Sequence, residues 1–101
     1  MKLGRDIVLD VLHSEGVTHI FGNPGTTELA LIDALPKAGG FKYVLGLQEA
    51  SVVGMADGYA RATNQPAFLN LHATAGLGNG LGALSNAAFT GVPLVVTPPR
   101  K

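Results

Sequence analysis

The sequence predicts an α/β fold: a small open parallel sheet of about four strands, with crossover helices on both faces. Three observations predict it. Short apolar runs alternate with longer segments whose apolar residues recur at helical spacing. Strands separated by such helices connect through right-handed crossovers and lie parallel. The second and fourth apolar runs, Phe41–Leu45 and Val92–Thr97, carry few polar residues, the pattern of strands covered on both faces.

Each element follows in order. Leu3, Ile7, Val8, Val11 and Leu12 predict an amphipathic helix over Lys2–Glu15, ended by Gly16. Val17–Phe21 reads as the first strand and Gly22-Asn23-Pro24-Gly25 as a turn. Leu29, Ile32 and Leu35 mark a helix from Thr27 to Leu35, with Pro36 expected beyond its end. Phe41–Leu45 is the second strand, Gln48–Ala62 the next helix and Ala67–Leu71 the third strand. After a glycine-rich passage, Leu77, Leu81, Leu84 and Ala88 mark a further helix, which Gly91 stops. Val92–Thr97 is the fourth strand, with Pro93 expected at its first turn and outside its ladder. That last strand is expected to be an uncovered edge. Gly54 and Gly58, one helical turn apart, suggest a close helix contact.

Composition excludes several functions. Charged residues make up 14% of the 101 residues, against roughly 25% in an ordinary soluble domain. A small domain with so little charge implies that part of its surface is covered by something else, so the chain reads as a piece of a larger assembly. The formal net charge is zero and no basic cluster occurs, which argues against nucleic acid. There is no cysteine, hence no disulfide framework and no thiolate metal site. The N-terminus lacks the apolar core of a signal peptide. No apolar run approaches the roughly 20 residues of a membrane span, and a cytoplasmic location is the expectation.

In an open parallel sheet, ligands bind beyond the carboxyl ends of the strands. The first strand ends in Phe21-Gly22-Asn23-Pro24-Gly25-Thr26-Thr27-Glu28, the second in Gly46-Leu47-Gln48-Glu49, and the third in Leu71-His72-Ala73-Thr74-Ala75-Gly76. Hydroxyl, carboxylate and imidazole candidates therefore gather on one rim. Glu49 is a lone carboxylate between Tyr43-Val44-Leu45-Gly46-Leu47 and Ala50-Ser51-Val52-Val53. Desolvation of a carboxyl group favours its protonated form and a helix N-terminus favours its charged form; a group balanced between the two can pass a proton. Alone, such a residue is more often a first-turn complement to the helix dipole. Likewise, an isolated Asn23-Pro24-Gly25 is turn chemistry, Thr26 or Thr27 a helix cap, and His72 a strand-end histidine. Their convergence on one rim is what makes His72 a plausible proton shuttle. His13 and His19 have no such company and are expected to be structural or surface residues. Gly78-Asn79-Gly80-Leu81-Gly82-Ala83 matches the loose dinucleotide fingerprint. It follows the wrong strand, and no acidic residue occurs after Asp57. These glycines are better read as permitting close approach of backbone to a flat ligand or a neighbouring helix.

Three of these segments resemble the pyrimidine-binding domain of the thiamine diphosphate-dependent enzymes: Phe21 through Glu28, Gln48-Glu49-Ala50 through Ala56-Asp57-Gly58-Tyr59-Ala60-Arg61, and Asn70 through Asn79. Pro93-Leu94-Val95-Val96-Thr97 is similar to that domain's fourth strand. The Asn-Pro-Gly turn and His72 resemble the benzoylformate decarboxylases; the acetolactate synthases are similar in the middle segment but usually lack that histidine. The resemblance implies thiamine diphosphate as cofactor and a 2-oxo acid as substrate. Glu49 would hydrogen-bond the ring nitrogen of the aminopyrimidine and promote loss of the thiazolium proton, after which a 2-oxo acid loses carbon dioxide to yield an aldehyde. His72 would transfer protons near the substrate, and Thr26 stands where the decarboxylases have a substrate-contacting serine. Thr27 departs from an asparagine there. Asn23, Pro24, Gly25, Thr74, Gly76 and Asn79 would line the cofactor. No metal ligand is expected in this chain. The family holds Mg²⁺ and the diphosphate through a Gly-Asp-Gly…Asn motif in another domain, and that motif is not in this sequence. Residues 1–101 are thus expected to form an incomplete pyrimidine-binding domain, inactive alone, working in a homo-oligomer or with a diphosphate-binding domain or subunit. Three other readings remain open: an acetolactate synthase-like carboligase fragment, a non-catalytic dimerisation or scaffold module of the same fold, and a nucleotide-binding module, the last disfavoured by the missing acid.

Overall fold

The computed structural model describes residues 2–25 and 28–97. In chain order it contains α1 (Gly4–Ser14), β1 (His19–Gly22), α2 (Leu29–Ala38), β2 (Lys42–Leu45), α3 (Glu49–Thr63), β3 (Ala67–Asn70), α4 (Ala73–Thr90) and β4 (Leu94–Thr97). All strand pairings are parallel, and the order across the sheet is β2-β1-β3-β4. The α/β class, the open parallel sheet and the alternation of strands and helices are as the sequence predicts.

The strand order carries the main consequence. The chain steps from β1 to β2 in one direction, then passes back across β1 to β3 and on to β4. Right-handed crossovers in opposite directions must lie on opposite faces. Accordingly, Leu9 and Leu12 of α1 and Ala34 and Leu35 of α2 pack with Ile20 and Phe68 on one face. On the other face, Val52, Val53, Ala56 and Ala60 of α3 pack with Phe21, Ala67, Leu69 and Leu71, joined by Leu77 and Leu84 of α4. The period-two alternation of the central strands sends Ile20 to one core and Phe21 to the other.

Several local expectations are corrected. β4 is an edge as expected, but β2 is the other edge, and neither is covered on both faces: β2 and β4 are only half covered, whereas β1 and β3 occupy the centre. An apolar run reports residue type and not position in the sheet. Pro36 lies inside α2. Near a helix end it forgoes one backbone hydrogen bond, and Gly39, at φ 68°, makes the turn out. The glycine-rich passage is helical, since α4 begins at Ala73. Gly76 and Gly80 are buried there, and a methyl at Gly80 would stand 3.0 Å from Val53 Cγ2. Close packing of α4 on α3 offsets the roughly 1 kcal/mol of helix propensity each glycine forgoes. Gly54 and Gly58 are exposed with open space around them, so they do not make the helix contact read into them. On α1, Leu9 and Leu12 are buried while Leu3, Ile7, Val8 and Val11 stay exposed. Pro93 precedes β4 as expected, and its carbonyl accepts from the Ala67 N–H at 3.2 Å. No helix among the described residues is long and apolar enough to cross a membrane.

Gly22 closes β1 between the two neighbouring strands. A methyl there would overlap the Tyr43 hydroxyl and stand 2.8 Å from the Asn70 carbonyl oxygen, which belongs to the adjacent strand. Gly22→Ala is expected to destabilise the protein by about 2–3 kcal/mol through overpacking. Gly54→Ala, in open space on a helix, is expected to stabilise it by about 0.5–1 kcal/mol. Urea unfolding of both variants checks the contrast.

Candidate active site at the switch point

The reversal between β1 and β3 is a topological switch point, and open α/β sheets bind ligands beyond the carboxyl ends of the strands at such a point. Three elements begin at this rim. The β1–α2 loop brings Asn23, Pro24 and Gly25, all half-buried, and then Glu28. The β2–α3 junction brings Glu49, and the β3–α4 junction brings His72.

Glu49 opens α3, where Gln48 serves as N-cap and accepts from the Ser51 N–H at 3.2 Å. Its side chain turns inward, leaving the residue 8% exposed, and no hydrogen-bond partner meets the carboxylate among the described residues. It lies against the first turns of α4: a methyl at Gly76 would stand 3.0 Å from Glu49 Oε2 and 3.3 Å from its Cγ. Gly76 is therefore the residue whose missing side chain makes room for this carboxylate. The helix N-terminus favours a negative charge here.

His72 is the N-cap of α4, and its carbonyl accepts from the Gly76 N–H at 2.7 Å. Glu49 and His72 thus meet the same stretch of α4, one at Gly76 and the other at its start. Ala73, directly after His72, has φ 55°, a left-handed conformation that costs an alanine about 1–2 kcal/mol. The His72 ring rests over Gly25, where a methyl would stand 2.6 Å from Nδ1.

Sequence reasoning passed over Glu28 as a site residue, although it is the most deeply buried acid described, at 3% exposed. Its Oε2 accepts from the Gly25 N–H at 2.6 Å, and His72 Nδ1 lies 2.9 Å from Oε2 and 3.1 Å from Oε1. The available signal was an acid at the start of a predicted helix, three residues after a turn glycine. Burial was the part that the sequence could not show. Behind Glu28, the Tyr43 hydroxyl and Asn70 Oδ1 are buried without a hydrogen-bond partner among the described residues. Burial, with a smaller contribution from the Glu28 charge, pushes the Tyr43 hydroxyl up to about 12.

Of the other predicted site residues, Thr74 and Asn79 occupy exposed positions on α4, with no side-chain hydrogen bond to the rest of the rim. Thr26 and Thr27 lie outside the described residues. His13 and His19 pack as structural residues, His13 edge-on to Phe41 at 6.0 Å and His19 against Tyr59 at 4.5 Å between centroids.

Residues 2–98 match the family described as thiamine pyrophosphate enzyme, N-terminal TPP binding domain. The chain belongs to that family. Benzoylformate decarboxylase from Pseudomonas aeruginosa is 50% identical over 97 residues, 96% of this chain and 18% of the relative. The crystal structure of benzoylformate decarboxylase from Polynucleobacter necessarius superposes with a TM-score of 0.92 at 40% identity, covering 100% of this chain and 19% of that one. Acetolactate synthase isozyme 3 large subunit from Escherichia coli is 36% identical over 96 residues, 95% of this chain and 17% of the relative. This TPP-binding domain therefore spans under one-fifth of the length of those relatives.

Tyr43 offers a pH-dependent test of the rim. The unfolded chain loses the phenol proton near pH 10, whereas the folded protein keeps it to about 12. Between these values the unfolded state binds fewer protons, so stability is fully present below pH 10 and falls as pH rises towards 12. In Tyr43→Phe that portion of the alkaline decline is expected to vanish. At neutral pH the change is expected to be neutral or stabilising within about 1 kcal/mol, because the hydroxyl has no partner to lose. Urea unfolding from pH 8 to 11 checks both.

Proposed function

We propose that this chain is the pyrimidine-binding portion of a thiamine diphosphate-dependent 2-oxo acid decarboxylase of the benzoylformate decarboxylase kind. Glu49 is the observation that carries it. A carboxylate nearly out of water, held at a helix N-terminus and without an internal hydrogen-bond partner among the described residues, is matched by a ligand group that shares its proton. A ring nitrogen of an aminopyrimidine is such a group. The donor set of the rim therefore fits the pyrimidine half of the cofactor.

When bound, thiamine diphosphate supplies the electron sink for decarboxylation. The protein's own residues divide the remaining work. Glu49 holds and exchanges a proton at the pyrimidine ring nitrogen, and Gly76 keeps the space its carboxylate needs. His72 moves a proton on the substrate side. Thr26 presents its hydroxyl to the substrate, and Asn23, Pro24, Gly25, Thr74 and Asn79 border the cofactor. Mg²⁺ and the diphosphate are held by another domain or subunit, so the chain works in a homo-oligomer or a complex. The similarity to an acetolactate synthase subunit supports a second reading, a carboligase of that kind. The presence of His72 favours the decarboxylase.

Glu49→Gln keeps the shape and removes the proton chemistry. With a diphosphate-binding partner present, hydrogen exchange at the cofactor's thiazolium carbon is expected to slow about 10²–10⁴-fold, the usual scale of general acid–base catalysis, while urea unfolding changes little. Unaltered exchange in the variant overturns the role of Glu49. The 101 residues alone, given thiamine diphosphate and Mg²⁺, are expected to show no 2-oxo acid decarboxylation, and turnover would overturn the division of labour.

A further inference from the structure

We infer that Glu28 is a positioning residue that holds the His72 imidazole with its proton on Nδ1, so that Nε2 is the ring nitrogen that addresses the substrate side. The tautomer follows from geometry and does not depend on the proposed function; its use in proton transfer rests on that reading.

Three contacts make the unit. The Gly25 N–H donates to Glu28 Oε2 at 2.6 Å, which fixes the carboxylate from below. Both carboxylate oxygens lie within 3.1 Å of His72 Nδ1. The ring lies over the bare Gly25 backbone, where a side chain would meet it. A carboxylate only accepts hydrogen bonds when ionised, so the ring nitrogen facing it carries the proton. The same logic assigns tautomers wherever one imidazole nitrogen is engaged by a carboxylate. The Glu28 side chain is 1% exposed and the His72 side chain 39% exposed. One partner is enclosed in the protein and the other is partly open to solvent. This asymmetry separates a residue that orients from one that acts.

The pairing also explains why an acid is tolerated at this depth. Isolated burial of a carboxylate is costly, and charge-assisted hydrogen bonds offset that cost. Glu28 and His72 are 44 residues apart in sequence, so the pair joins the β1–α2 loop to the start of α4. A contribution of the pair to stability leaves this tautomer preference in place, because the preference follows from which ring nitrogen faces the carboxylate.

The test reads the ring directly. Long-range ¹H–¹⁵N correlation spectra of the ligand-free chain, taken where His72 is neutral, report which nitrogen is protonated. The expected result is a protonated Nδ1 and an unprotonated Nε2, the reverse of the preference of a free imidazole side chain. In Glu28→Ala the ring is expected to return to the Nε2–H form. A wild-type ring protonated at Nε2 overturns the proposal, as does an Ala variant that keeps the wild-type tautomer. The wild-type spectrum decides even where the Ala variant does not fold. Because no cofactor is present, a failure here is distinct from a failure of the Glu49 reading, which is judged by exchange in the loaded complex.

Discussion

The arrangement depends on one topological constraint: β1 lies between β2 and β3, so the chain must reverse its direction of travel across the sheet. With right-handed crossovers, reversal places α2 on one face and α3 and α4 on the other. The loops leaving β1 and β3 then run to helices on opposite faces, and this switch point is where open α/β sheets bind ligands. Glu28, Glu49 and His72 stand around it because each begins an element at that rim. Neither local propensity nor any single contact would bring these segments together.

Within the rim, two carboxylates are treated differently. Glu28 is held by a backbone N–H and an imidazole inside the protein. Glu49 is nearly as buried, and it stands at the N-terminus of α3 against the bare backbone face of Gly76, with no hydrogen-bond partner for its carboxylate among the described residues. The proposed roles, orientation for Glu28 and exchange of a proton with a ligand for Glu49, rest on this difference. Glycine has a different task at each of three points: Gly22 admits the Tyr43 hydroxyl between strands, Gly25 admits the His72 ring, and Gly76 admits the Glu49 carboxylate. The Tyr43 hydroxyl on β2 and Asn70 Oδ1 on β3 have no hydrogen-bond partner among the described residues, a cost in desolvation carried by two neighbours of β1.

Much of the fold was legible because periodicity reports local structure. The apolar spacing along Leu77, Leu81 and Leu84 marks a helix, and the run Ala67-Phe68-Leu69 marks a strand, without reference to anything distant. Misreadings arose where a neighbour decides. The helix of α4 extends through Gly76 because packing on α3 outweighs propensity, and Gly54 reads like a packing residue but faces open space. In the site, Glu49 and His72 could be picked out because an acid among apolar residues and a histidine at a strand end are conspicuous types. Glu28 carries no such mark, since depth of burial is not written in residue type.

By itself, the sequence determined the alternation of strand and helix, the parallel class, and the chemical kinds of group carried at the strand ends. These follow from side-chain periodicity and backbone preference, which act over a few residues. Only the tertiary structure decided which strands are central, which glycines are needed, and that Glu28 grips His72 from 44 residues away. Those outcomes depend on contacts between distant segments, and such contacts exist only once the crossovers have closed around the sheet.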